Sequence, residues 1–140
     1  MRLSYAGVAA VALALSAGGA FAQDKLSATL TGAEEVPPVE TAATGAADIT
    51  WNADTKELSW VIEFSGLSGP ATAAHFHGPA APGENAGPVI TIEDLESPSE
   101  GSATLTDEQA GQLAGGQWYV NVHTEANPGG EIRGQIAAAM

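Results

Sequence analysis

The chain has 140 residues, no cysteine, and 17 acidic against four basic side chains, for a formal net charge of −13. This acidity argues against binding a phosphate backbone, so no nucleic acid is expected as a partner, and it disfavours anionic membrane surfaces. The missing thiols exclude disulfides, thiolate metal ligands, cysteine-linked haem and cysteine nucleophiles.

Arg2 precedes an apolar run, Val8 to Ala17, and Ala20-Phe21-Ala22 forms a small-x-small cleavage site. The run is too short for a permanent bilayer anchor, and no second hydrophobic stretch follows. Residues 1–22 are therefore expected to be a signal peptide. Residues 23–140 are expected to form one exported domain, periplasmic or secreted, without a membrane span. Loss of Arg2 leaves only Lys25, Lys56 and Arg133 as basic side chains.

Strand patterns then recur at short spacing. Leu26, Ala28 and Leu30 alternate with polar residues, as do Ala47, Ile49 and Trp51. The cluster Asn52-Ala53-Asp54-Thr55-Lys56 predicts a turn, and Leu58, Trp60, Ile62 and Phe64 follow as the second arm of a hairpin. Gly66 to Pro70 is a turn, and a strand runs through Ala74-His75-Phe76-His77. Pro79 to Pro88, rich in Gly and Pro, is a loop. Short strands are expected over Val89–Ile92 and Ser102–Leu105. Thr106 and Gln109 form a capping-box pattern for one short helix that ends at Gly115-Gly116. Gln117–His123 and Glu131–Ile136 are the closing strands, joined by the turn Asn127-Pro128-Gly129-Gly130. About eight strands with one helix predict an all-β fold: an antiparallel, Greek-key-like β-sandwich or barrel.

The chain's three histidines all lie in strand segments. Residues two apart on a strand share a face, so His75 and His77 project together, opposite Phe76. Trp118, Val120 and Val122 form the apolar stripe of the later strand, which puts Tyr119, Asn121 and His123 on the other side. All three imidazoles are thus expected on the outer face of the sheet. Imidazole nitrogen suits copper, zinc, nickel and iron(II), and three histidines with an open position can hold one ion. Glu125 shares the nominal face of His123, and Glu84 and Glu131 flank nearby loops, so each is a candidate additional carboxylate ligand. Asn121 is a candidate for orienting a ring. Arg133 falls on the same side and is expected either to guide an anion or to pair with Glu131 or Glu125.

Other constellations carry less. Trp51, Trp60 and Trp118 fall in register with apolar stripes, which points to core packing rather than a carbohydrate platform. Glu34-Glu35 is expected to be a solvated pair before Pro37-Pro38. No Gly-x-Ser-x-Gly is present to signal a serine hydrolase.

Several of these segments resemble the CHRD domain, named for chordin and frequent in exported bacterial proteins. They are Leu30-Thr31-Gly32-Ala33-Glu34-Glu35-Val36-Pro37-Pro38-Val39, Leu58-Ser59-Trp60, Ala73-Ala74-His75-Phe76-His77-Gly78-Pro79-Ala80, Tyr119-Val120-Asn121-Val122-His123-Thr124 and Asn127 through Ile136. The resemblance covers most of residues 23–140 and implies an all-β domain without a set activity. A narrower likeness, in His-x-His, Val-x-Val-His and a late Arg, is to the copper face of Cu/Zn superoxide dismutases. It implies His75, His77 and His123 as copper ligands with Arg133 beside the open position. The chain departs from that family in having no fourth histidine, no zinc loop and no disulfide pair. The expectation is a metal-binding exported module with one copper ion, zinc being the alternative cofactor. The competing readings are an envelope or extracellular protein- or glycan-binding module without catalysis, and a mononuclear copper redox enzyme.

Overall fold

The alternation that predicts the first hairpin extends into a three-stranded meander. A computed structural model describes residues 23–139; the expected signal peptide lies outside the described residues. Strands β1 (Gln23–Thr31), β2 (Thr44–Asn52) and β3 (Glu57–Ser65) pair antiparallel in sequence order. Their register sets Leu30 against Gly45, Ile49 against Trp60 and Trp51 against Leu58. The turn between β2 and β3 is closed by Asn52 Oδ1, which accepts from the amides of Asp54 and Thr55. Lys56 supplies its left-handed residue, with φ of 60°.

Strand β4 (Ala71–His77) pairs with β5 (Pro88–Thr91) and with β7 (Tyr119–Thr124), which pairs in turn with β8 (Ile132–Gln135). Strand β6 (Ser99–Thr104) borders β3, and the two-residue β9 (Ala137–Ala138) continues the chain end along β1. The full order is β5-β4-β7-β8-β1-β2-β3-β6, every pairing antiparallel. In that order β3 and β4 are far apart, yet the rings of Trp60 and Phe76 meet edge to face with centroids 4.9 Å apart. The sheet therefore curls on itself into a nearly closed barrel. One core holds Leu30, Ile49, Leu58, Trp60 and Ile62 together with Phe76, Trp118, Val120 and Ile132. All three tryptophans are buried, as their register predicts. Burial of this apolar surface is the main stabilising term for a chain without cross-links.

Helix α1 (Asp107–Ala114) carries the capping box read from the sequence. Thr106 Oγ1 accepts from the Gln109 amide, and Gln109 Oε1 accepts from the Thr106 amide. Leu113 enters the core, and Gln112 Oε1 accepts from Trp118 Nε1, which ties the helix to the start of β7.

Strand β6 begins three residues before the expected Ser102. Its first residues, Ser99-Glu100-Gly101, carry no apolar alternation, but they pair with Ile62, Val61 and Trp60. Gly101 is needed there: a Cβ at this position would come within 2.5 Å of the Trp60 ring. Among the described residues no helix is long and apolar enough to cross a membrane.

Candidate functional site

The pairing of β4, β7 and β8 sets His75 opposite Asn121, His77 opposite Tyr119, and Asn121 opposite Arg133. His123 stands opposite Ala73, one step further along the same face. These side chains therefore share the face turned away from Phe76, Val120 and Val122, as strand alternation requires. That face is not an open outer surface. The segment Glu35–Val39 and the loop from Gly78 to Gly87 fold across it, so His77 is only 8% exposed and Tyr119, Asn121 and Arg133 are buried. The expectation of three outward-facing histidines is corrected in this respect: His75 and His123 are half-buried, and His77 is covered. Alternation specifies a face, but not which loops return over it.

The three imidazoles converge, and one ligand nitrogen from each lies within 4.8 Å of the others. His75 Nδ1 stands 3.3 Å from His123 Nε2. Bonds of about 2.0–2.1 Å to one ion would set tetrahedral nitrogens about 3.3 Å apart, so this pair already has the spacing of two ligands. His123 Nδ1 donates to Pro128 O at 2.8 Å, which leaves Nε2 with its lone pair toward the site. His77 Nδ1 donates to Ala86 O at 2.9 Å, and its Nε2 lies 3.0 Å from the Asn121 side-chain amide. Burial, and then the neighbouring His123, lowers the pKa of His75. Burial is also the main reason that the pKa of His77 is lowered, against the contrary effect of its bond to Ala86. Neutral imidazole, the form that ligates metals, is thereby favoured at both positions.

Arg133 does not take either expected role. It is 1% exposed, so it is not presented to anions from solvent. It pairs with neither Glu131 nor Glu125: its guanidinium donates to Asn85 Oδ1, Ala81 O and Gln135 Oε1, and lies 3.5 Å from the centroid of the Tyr119 ring. Among the described residues the ion pair present is Lys56 with Asp107, on the surface. Glu125 is exposed and stands outside the histidine cluster. Glu84 accepts from the Ala81 amide within its own loop.

Glu131, 0% exposed, is occupied elsewhere. Its carboxylate accepts from the Ser68 hydroxyl and backbone amide, the Thr41 and Thr124 hydroxyls, and the side-chain Nδ2 of Asn127. Burial alone would raise its pKa, but the bonds from Ser68, Thr41 and Thr124 outweigh it and bring the group down to about 2. It ties together the β1–β2 connection, the β3–β4 turn and β7.

Glu35 was expected to be solvated with Glu34. It is instead 5% exposed, and its Oε2 faces Asn121 Nδ2 at 3.4 Å. Burial pushes its carboxyl up to about 7, against the lowering influence of Asn121 and of the Arg133 charge. Glu34 ends a short 3-10 helix, Gly32–Glu34, and Glu35 is the first extended residue after it, so the chain turns between the two and only Glu34 is left in solvent. Tyr119 and Asn85 also join the site's surroundings without a local motif to announce them. Tyr119 stacks on His77, and its hydroxyl both donates to Ala86 O and accepts from Ala86 N.

A family model described as the CHRD domain matches residues 26–136. No curated protein and no solved structure matches the chain.

Proposed function

Since the chain belongs to the CHRD domain family, we propose that it is an exported metal-binding member, holding one transition-metal ion through His75 and His123 with His77 as third ligand. The observation that carries this reading is the 3.3 Å separation of His75 Nδ1 and His123 Nε2, with the other nitrogen of His123 anchored on Pro128 O. A ring anchored through one nitrogen keeps the lone pair of the other for a metal ion, and the neighbouring imidazole nitrogen lies at the spacing of a second ligand. Copper is the preferred ion and zinc the alternative, because both accept imidazole and neither needs a carboxylate here. Asn121 supports the site by orienting His77.

The role is to hold and hand on the ion rather than to turn over an anionic oxidant. The cationic group nearest this face, Arg133, is covered, and the chain carries a net charge of −13, so the field does not draw anions in. Copper(II) added to tag-free residues 23–140 should give an electron paramagnetic resonance spectrum with nitrogen superhyperfine coupling. That coupling should change in His123→Ala. A spectrum of aqueous copper in both proteins would overturn the reading. Export is tested by the N-terminus of protein recovered outside the cytoplasm, expected at Gln23.

A further inference from the structure

The hydrogen-bond chain behind His77 has a fixed polarity. Ala86 O can only accept, so His77 Nδ1 carries a proton. His77 Nε2 then stands 3.0 Å from Asn121 Oδ1, and Asn121 Nδ2 stands 3.4 Å from Glu35 Oε2. The two ends of an amide are isosteric, so either orientation fits the same space. With the NH2 toward a bare His77 Nε2, the Asn121 oxygen faces Glu35, which must bring a proton to donate. With the oxygen toward His77, Nε2 must carry the proton and Glu35 is a carboxylate. One amide between two titratable groups thus provides for one shared proton.

The surroundings favour the first arrangement, with the Asn121 amide turned over from the orientation just given, because the second would make the buried His77 a cation. The Glu35 carboxyl is held between Asn121 on β7 and the backbone of Gly130, where a Cβ would overlap Glu35 Oε2. Arg133 is the charged group facing it from β8, His77 the titratable group beyond Asn121 from β4, and Glu34 on its own segment is exposed. Arg133 does not reach it as an ion pair. Burial with a single amide partner disfavours the carboxylate.

We infer that Glu35 is the proton store of the histidine site: an ion taken up at His77 Nε2 displaces Asn121, and the proton of Glu35 leaves to solvent. The inference rests on the metal reading above. The exchange adds one net positive charge, two from the ion less one from the departing proton. A divalent ion enters as the nitrogen lone pair becomes a metal bond, one proton departs, and the new carboxylate stays behind to accept from the freed Asn121 NH2 and offset the added charge. Asn121 and Glu35 are positioning residues, and neither is a ligand. The consequence is pH-linked capture, with the ion held more tightly as pH rises through neutrality and released on acidification.

Calorimetric titration of zinc(II) into residues 23–140, in two buffers of different ionisation enthalpy, counts the protons released. Wild type should release more than Glu35→Gln by over about half a proton at pH 6.5, and by under about a tenth at pH 8.5. Difference infrared spectra of wild type alone provide a check that needs no variant. The carbonyl stretch of a protonated carboxylic acid should disappear when zinc is added at pH 6.5. Metal bound with equal proton counts in both proteins at pH 6.5, or an acid band that persists, would overturn the role of Glu35 and leave the metal site standing. An absence of binding heat in both would overturn the site itself and this inference with it.

Discussion

The imidazole of His77 lies flat against the phenol ring of Tyr119, with centroids 4.7 Å apart and planes 3° from parallel. The opposite face of Tyr119 carries the Arg133 guanidinium. Three side chains from β4, β7 and β8 therefore form one stack, and the plane of His77 is set by packing as well as by Ala86 and Asn121. This stack is what makes a covered histidine a positioned one.

Replacing Tyr119 separates its two contributions. Tyr119→Phe keeps the stack and loses the hydroxyl bonds to Ala86, so a loss of about 1 kcal/mol is expected, with faster hydrogen exchange at the Ala86 amide. Tyr119→Ala removes the ring between His77 and Arg133 and should cost about 3–4 kcal/mol. Urea denaturation of both variants measures the difference.

Glu131 makes stability sensitive to acid. Its folded pKa, about 2, lies below its ordinary value of 4.5, so the folded chain binds this proton less tightly than the unfolded chain does. The contribution is complete above 4.5 and is lost as pH falls toward 2. Glu131→Ala would strand the hydroxyls of Thr41, Ser68 and Thr124 and should destabilise by about 3 kcal/mol at pH 7. Glu131→Gln should flatten the pH dependence between 4.5 and 2, as thermal melts across that window would register.

Glu35 acts with the opposite sign. Its folded pKa, about 7, exceeds 4.5, so the folded chain binds this proton more tightly. Its contribution is greatest below 4.5 and declines as pH rises to 7. In the presence of a chelator, Glu35→Gln should gain on wild type by about 1–2 kcal/mol between pH 4.5 and 8, after solvent screening is allowed for. A constant difference across that range would show that Glu35 keeps its proton equally in both states.

Much of the fold was legible in the sequence because burial leaves a period. The alternation around Trp51, Trp60 and Trp118 put all three in the core, and Thr106 with Gln109 marked the helix start from local chemistry alone. The same alternation brought His75, His77 and His123 to one face. What covers that face was not legible. The loops that bury His77, Glu35 and Arg133 are irregular, and their contacts, such as Asn85 Nδ2 donating to Val36 O, join residues far apart in the chain. The partners of Glu131 come from Thr41, Ser68 and Thr124, and no local motif links those positions. An Arg on a histidine face suggested an ion pair, whereas a tyrosine ring and neutral oxygens satisfy it.

The central claim is a shared ion between His75 and His123. Its most direct measurement is titration of copper(II) and zinc(II) into tag-free residues 23–140, beside His75→Ala and His123→Ala. The account predicts one ion per chain, with affinity reduced about tenfold or more by each substitution. Equal uptake by all three proteins would contradict it.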